Sequence, residues 1–231
     1  MTHIAFLSHG KSLSAELYSA VGSPSRGLVV IAYGSDGLTN DLSGPWATMI
    51  RDYAGSLAAK GFTAVVPHYL EATDTAPGPG VFEMIPHCRD RWQAALSDAI
   101  DHAMALSKTD RKRVGLLGFS LGGHLCLRLR ARANVLVEFF APVLDGIGPP
   151  GTLAHAQIHH GKADAVPGTG FPNAEAITET LKREGTATEL FAYPGAGHGF
   201  AGSDPANKSA RDLSKERTLS FFQVHLAPSQ H

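Results

Sequence analysis

R-V-G-L-L-G-F-S-L-G-G-H-L, running from Arg113 to Leu125, is the stretch from which the rest of the chain can be read. A short apolar run (Val114 to Leu117) enters Gly118-Phe119-Ser120-Leu121-Gly122, and helical spacing follows. This is a G-x-S-x-G turn set between a strand and a helix, which is how a nucleophile elbow is built. So sharp a turn puts Ser120 in a strained backbone conformation, and Gly118 and Gly122 leave room for neighbouring chain. The turn lifts the Ser120 hydroxyl off the sheet and sets the Leu121 N–H at a helix N-terminus, where it can stabilise negative charge. In a chain with 25 glycines the motif alone is weak. A strand-to-helix turn capped by a serine reads the same way, so partners for Ser120 must be found elsewhere.

Strands and helices alternate on both sides of this turn. Upstream, Ile4 to Leu7 and Ala15 to Val21 read as short strands, with a turn at Gly22-Ser23-Pro24. Leu28 to Ala32 is continuously apolar, as expected of a strand buried on both faces of a parallel sheet. The loop Tyr33 to Asp41 leads to a helix capped by Ser43 or Gly44 and closed by Gly61. Phe62 to Val66 is the next strand, His68 to Gly80 a Pro- and Gly-rich loop, and Pro86 to Ser107 a helix. Downstream come strands at Val135 to Phe140 and Ala154 to His160, a helix at Pro172 to Glu184, a strand at Thr188 to Tyr193, and a helix from Ser209 to His225. The order predicts an α/β fold, with a mostly parallel central sheet and helices on both faces, as a single domain over residues 1–231. Ligands in such sheets bind beyond the carboxyl ends of the strands.

The bulk composition narrows the function. Apolar residues make up 43% of the chain and the formal net charge is −1, with no basic stripe, which argues against a nucleic-acid partner. No apolar run approaches the length of a membrane span, and the first residues lack the pattern of a signal peptide. Cys88 and Cys126 do not make a disulfide framework and read as a buried reduced pair, which points to the cytoplasm. The twelve histidines are scattered without zinc-ligand spacing, so no metal and no cofactor is expected. His159 and His160 are adjacent on a strand and therefore point to opposite faces.

A serine nucleophile needs a base, and the base needs an acid to orient it. In chain order these should follow as Ser, acid, His. His198 lies in Y-P-G-A-G-H-G-F (Tyr193 to Phe200), after the last strand and before the final helix, where the base belongs. Asp164, in H-G-K-A-D-A-V-P (His160 to Pro167), follows the preceding strand and is the favoured acid; Asp145, one strand earlier, competes with it. Two N–H donors should face the oxyanion: Leu121, and either Ser35 or Gly34 from the loop after Ala32. His68 and Tyr69, in the loop after the Phe62 to Val66 strand, are candidate substrate contacts, against the plainer reading that they pack the loop.

Taken together, V-V-I-A, G-F-S-L-G-G, H-G-K-A-D-A-V-P and Y-P-G-A-G-H-G-F resemble the dienelactone hydrolase family of α/β-hydrolases. The resemblance implies an α/β-hydrolase fold and an ester- or lactone-cleaving activity. Three departures stand out. The namesake enzymes carry cysteine where this chain has Ser120, and a glutamate where it has Gly34. They also hold the substrate carboxylate with an arginine in an H-x-F-A-R context, where this chain has Gly202. A serine has no thiolate to control, so the first two changes belong together. Arg89 or Arg91 is the remaining candidate cation.

The residues between Phe140 and the next strand leave no room for a helical lid, so no large cap domain is expected and the site should be shallow. The expectation is a serine hydrolase acting on small soluble carboxylic esters or lactones. A thioesterase, a peptidase, an acyltransferase or a non-catalytic ligand-binding homologue on the same fold are the alternatives. Oligomeric state is not legible in the sequence.

Overall fold

A computed structural model describes residues 1–22 and 25–226. The turn expected at Gly22-Ser23-Pro24 falls largely outside them. Eight strands form one sheet: β1 (Thr2–Ser8), β2 (Lys11–Tyr18), β3 (Leu28–Ala32), β4 (Thr63–Pro67), β5 (Val114–Phe119), β6 (Val135–Phe139), β7 (His155–Gly161) and β8 (Ala187–Tyr193). Their spatial order is β1-β2-β4-β3-β5-β6-β7-β8. The hairpin β1–β2 is antiparallel and pairs antiparallel with β4; every other pairing is parallel. Among the described residues, α1 (Trp46–Ala59), α2 (Val81–Ser107), α3 (Leu121–Arg128) and α4 (Pro172–Arg183) connect strands, and α5 (Pro205–His225) follows the last of them. Helices α1 and α5 cover one face of the sheet, and α2, α3 and α4 the other.

The predicted order of elements holds throughout, while several boundaries move. The first hairpin turns at His9 and Gly10, both at positive φ (47° and 80°), so β2 starts at Lys11 and ends at Tyr18, before Val21. Helix α2 begins at Val81, five residues before the expected start, and carries Pro86 inside it. Burial of Val81 and Ile85 against the core outweighs the one backbone bond the proline removes. Helix α5 begins at Pro205 rather than Ser209, with the Asp204 side chain accepting from the Asn207 N–H as its cap. The stretch after β4 contains a 3₁₀ turn, Tyr69–Thr73.

Strands β3, β4, β5 and β6 are buried from end to end, which explains why they read as near-continuous apolar runs, Thr63 and Glu138 excepted, rather than as alternations. From β3 the chain passes through α1 to β4 on one side, then through α2 to β5 on the other. The carboxyl ends of β3 and β5 therefore lie side by side, with Ala32 paired to Gly118. A crevice opens where connections diverge in this way, and the loop after Ala32 and the turn after Phe119 meet in it.

Candidate active site

Ser120 sits at φ 52°, ψ −118°, between the end of β5 and the first residue of α3. A non-glycine residue there is strained, and the neighbours that hold it are visible. Its N–H donates to the Phe139 carbonyl (2.9 Å), and its own carbonyl accepts from His124 (3.1 Å). A Cβ on Gly122 would lie 2.1 Å from the Ala32 oxygen, and one on Gly118 would lie 2.6 Å from the Gly122 oxygen. Only glycines let α3 press this closely on β3 and β5. Ser120 is 7% exposed, and that exposure opens into one cleft.

His198 reaches the serine from the loop after β8. Its Nε2 lies 3.2 Å from Ser120 Oγ, and its Nδ1 donates to Asp164 Oδ2 at 2.7 Å. The loop carrying Asp164 and the loop carrying His198 are pressed together: a Cβ on Gly161 would fall 2.2 Å from the Ala196 oxygen. The Phe140 ring stands 4.8 Å from the imidazole, and Phe200 packs on Phe140. The other Asp164 oxygen accepts from the Val166 N–H (3.0 Å) and the Thr169 hydroxyl (3.1 Å). Burial works to raise the Asp164 pKa, but the close approach of His160, the hydrogen bond from His198 and the His198 charge outweigh it and hold the carboxyl well below its ordinary range. The arrangement can orient an imidazole, take a proton from a hydroxyl and stabilise the imidazolium that results.

The loop after β3 closes the other side of the cleft. A Cβ on Gly34 would come within 3.3 Å of Ser120 Cβ, so this loop passes directly over the nucleophile position. The Gly34 and Ser35 carbonyls accept from Gly37 (3.1 Å) and Gly78 (2.9 Å), which ties the loop down on itself and on the start of α2. The Tyr69 hydroxyl donates to the Tyr33 carbonyl (2.8 Å), and the two tyrosine rings stack at 4.6 Å.

His68 and Tyr69, the candidate substrate contacts, do not line the cleft. Tyr69 is fully buried beneath the loop that it braces, and the His68 ring faces Glu71 (3.3 Å) and Glu16 (3.8 Å), away from the cleft. Asp145 is not brought to His198: it pairs with Arg89 at 2.6 Å. Arg89 is thereby engaged and Arg91 is exposed on α2; neither lines the cleft.

The cleft has a volume of about 220 Å³. Its walls include Trp46 and Ile50 from α1, Phe82 from α2, Tyr33, Phe119 and Val166, and no lysine or arginine lines it. Phe82 and Pro79 come from the Pro- and Gly-rich stretch His68 to Phe82, which the sequence offers as a pocket wall. Trp46 and Val166 carry no such signal: Trp46 falls in a run of helical spacing, which looks the same whether it points at a core or a ligand. Arg211 comes nearest to replacing the absent family arginine. It approaches the same loop from α5, but its Nη1 donates to the Phe200 and Gly202 carbonyls and it stands outside the cleft.

Cys88 and Cys126 are buried and unbridged. Among the described residues no cluster of three His, Cys, Asp or Glu side chains is placed to hold a metal, and no helix is long and apolar enough to cross a membrane.

Residues 18–226 match the dienelactone hydrolase family. A carboxymethylenebutenolidase of Rhodococcus opacus is 27% identical over 195 residues, spanning 76% of this chain and 75% of that one. Among solved structures, a dienelactone hydrolase-like promiscuous phosphotriesterase from metagenomic libraries superposes with a TM-score of 0.77, at 18% identity over 97% of each chain. An α/β serine hydrolase without a lid from Xanthomonas campestris superposes with a TM-score of 0.68, at 16% identity over 100% of this chain and 96% of that one. At those identities the two structures speak for the fold.

Proposed function

This chain belongs to the dienelactone hydrolase family and is a hydrolase, and from that premise we propose that it cleaves small uncharged carboxylic esters or lactones through an acyl-enzyme on Ser120. The observation that carries the reading is the unbroken line Ser120 Oγ–His198 Nε2 (3.2 Å) and His198 Nδ1–Asp164 Oδ2 (2.7 Å) at the carboxyl ends of parallel strands. His198 takes the Ser120 proton as Oγ bonds to the carbonyl carbon. The N–H groups of Leu121 and Ser35 hold the oxyanion, with Gly34 the alternative second donor. Collapse breaks the bond to the alkoxide, which leaves with the proton from His198. Water then repeats the sequence on the acyl-enzyme, with Asp164 fixing the imidazole tautomer throughout.

The substrate class follows from the cleft. A carboxylate-bearing lactone needs a cation besides the general base, and apart from His198 the lining side chains among the described residues are aromatic, aliphatic, hydroxyl-bearing or acidic, with no lysine or arginine. Asp36 on the rim accepts from the Ser43 N–H (3.3 Å) and hydroxyl. An apolar cleft of this size suits a short acyl or aryl group.

Intact-mass labelling with a fluorophosphonate tests the nucleophile: one adduct on the wild type and none on Ser120→Ala is the expected result. Absence of an adduct on folded wild type would overturn it. A panel of neutral and carboxylate-bearing esters, lactones, thioesters and anilides then tests the class. Neutral esters should be turned over fastest; a faster thioester or anilide would move the reading to a thioesterase or peptidase.

A further inference from the structure

Behind Asp164 lie two buried ionisable side chains that the mechanism above does not use. His160, on β7, is fully buried, and its Nε2 stands 3.2 Å from Asp164 Oδ2, the oxygen that also accepts from His198. The approach is within ion-pair distance but off the line of a well-aligned hydrogen bond, and Nδ1 has no partner. Glu138, on the neighbouring strand β6, is fully buried as well. One of its oxygens accepts from the Ala141 N–H, while Oε2 has no partner. Glu138 is in register with Ile158, two residues before His160, so both side chains project from the same sheet face, under α3 and α4.

Leaving buried polar groups unpaired in such a place costs stability. An apolar residue at either position would avoid that cost. The groups around the pair bear on its state. Gly123 of α3 and Ala141 lie against Glu138, the Phe171 ring stands edge-on to His160 at 5.9 Å, and the Lys162 ammonium lies 5.3 Å from the Phe171 ring. Burial pushes the Glu138 carboxyl up to about 7, and the nearby His160 pulls against that rise.

We propose that His160 is a positioning residue of the triad, its ring N–H holding the shared oxygen of Asp164 on the line to His198. This rests on the triad reading above. Asp164 is then pinned at both oxygens, by Val166 and Thr169 on one side and by His160 and His198 on the other. Without His160, Oδ2 keeps a single donor, the imidazole that it must orient, and the carboxylate can rock about the other pair.

The test compares His160→Leu, which removes the donor, with His160→Gln, whose amide restores one at similar reach. Positioning predicts that His160→Leu lowers kcat about tenfold, the worth of one hydrogen bond, with KM unchanged, and that His160→Gln recovers most of the loss. Turnover by His160→Leu within twofold of wild type, or equal losses in both variants, would overturn it. Should His160→Leu fail to fold, His160→Asn, polar but too short to reach Asp164, takes its place against His160→Gln. Fluorophosphonate labelling separates the two readings. An adduct on wild type with undiminished His160→Leu turnover rejects the positioning role alone, whereas no adduct on wild type rejects the triad and this role with it.

Discussion

His159 and His160 are consecutive, equally buried and on the same strand, yet their surroundings have nothing in common. His159 faces the α5 side. Both of its nitrogens are bonded, to the Tyr193 hydroxyl and to Gln157 Oε1, each at 2.8 Å. Its ring stacks on Phe139 and Phe191. Burial first, and the Arg217 charge second, hold its pKa well below the ordinary range, so it stays neutral. His160 faces α3 and α4, has no aligned partner at either nitrogen, and looks at a carboxylate two hydrogen bonds from the Ser120 hydroxyl. Burial alone therefore says little about what a histidine does. A ring whose donors and acceptors are all spent inside one packing layer is part of the scaffold; a ring with capacity left over beside an ionised group is a candidate for chemistry.

The sharpest way to break the comparison is to remove the group that distinguishes the two faces. Asp164→Asn should lower kcat by about 10⁴-fold, because an amide at that position favours the wrong imidazole tautomer. Thermal melting checks that the fold survives, and a loss below a hundredfold would mean that another carboxylate serves His198. On the opposite face, His159→Leu should leave kcat of the folded protein nearly intact and cost about 2–4 kcal/mol of stability in denaturant unfolding, through the polar groups it leaves unpaired. A fall in kcat without loss of stability would erase the distinction between the faces.

A smaller, pH-dependent effect belongs to Glu138. Its folded pKa is raised from an ordinary 4.5 to about 7. A raised carboxyl favours the protonated fold, so this contribution to stability is complete below 4.5 and is lost as pH rises towards 7. Relative to wild type, Glu138→Gln should therefore gain up to ~3 kcal/mol over that window and change no further above it. Unfolding measured across the range checks the slope. The smallest effect lies away from β7 and serves as a control on both histidines. Trp46 lines the cleft on one side and, on the other, a groove formed with Met49, Gly199 and Arg211. Trp46→Ala should raise the preference for longer over shorter acyl chains by about tenfold in kcat/KM, as read with an aryl ester series.

The comparison also shows where sequence reasoning works. That His159 and His160 point apart follows from strand geometry alone. The elbow, the loop histidine and the aspartate after β7 were legible because each occupies a place fixed by chain order. The two faces of β7 could not be told apart, because what separates them is supplied by Tyr193, Phe191, Glu138 and Phe171 from three other segments. Arg211 is a similar case. No short-range pattern announces that a residue inside α5 will bond the loop after His198. The 3₁₀ turn after β4 was missed because the Pro- and Gly-rich stretch around it hid the burial of Tyr69 and Leu70. The Asp204-Pro205 start of α5, by contrast, was written in the sequence as a cap followed by a proline and was passed over for the apolar stripe.

The short link between β6 and β7 has a kinetic consequence. Residues 140–154 contain no helix, so nothing there has to swing aside before an ester reaches Ser120. Enzymes whose access depends on displacing a flap respond to a lipid–water boundary. Here the rate should climb hyperbolically with dissolved ester and show no jump when the substrate passes its solubility limit and forms droplets.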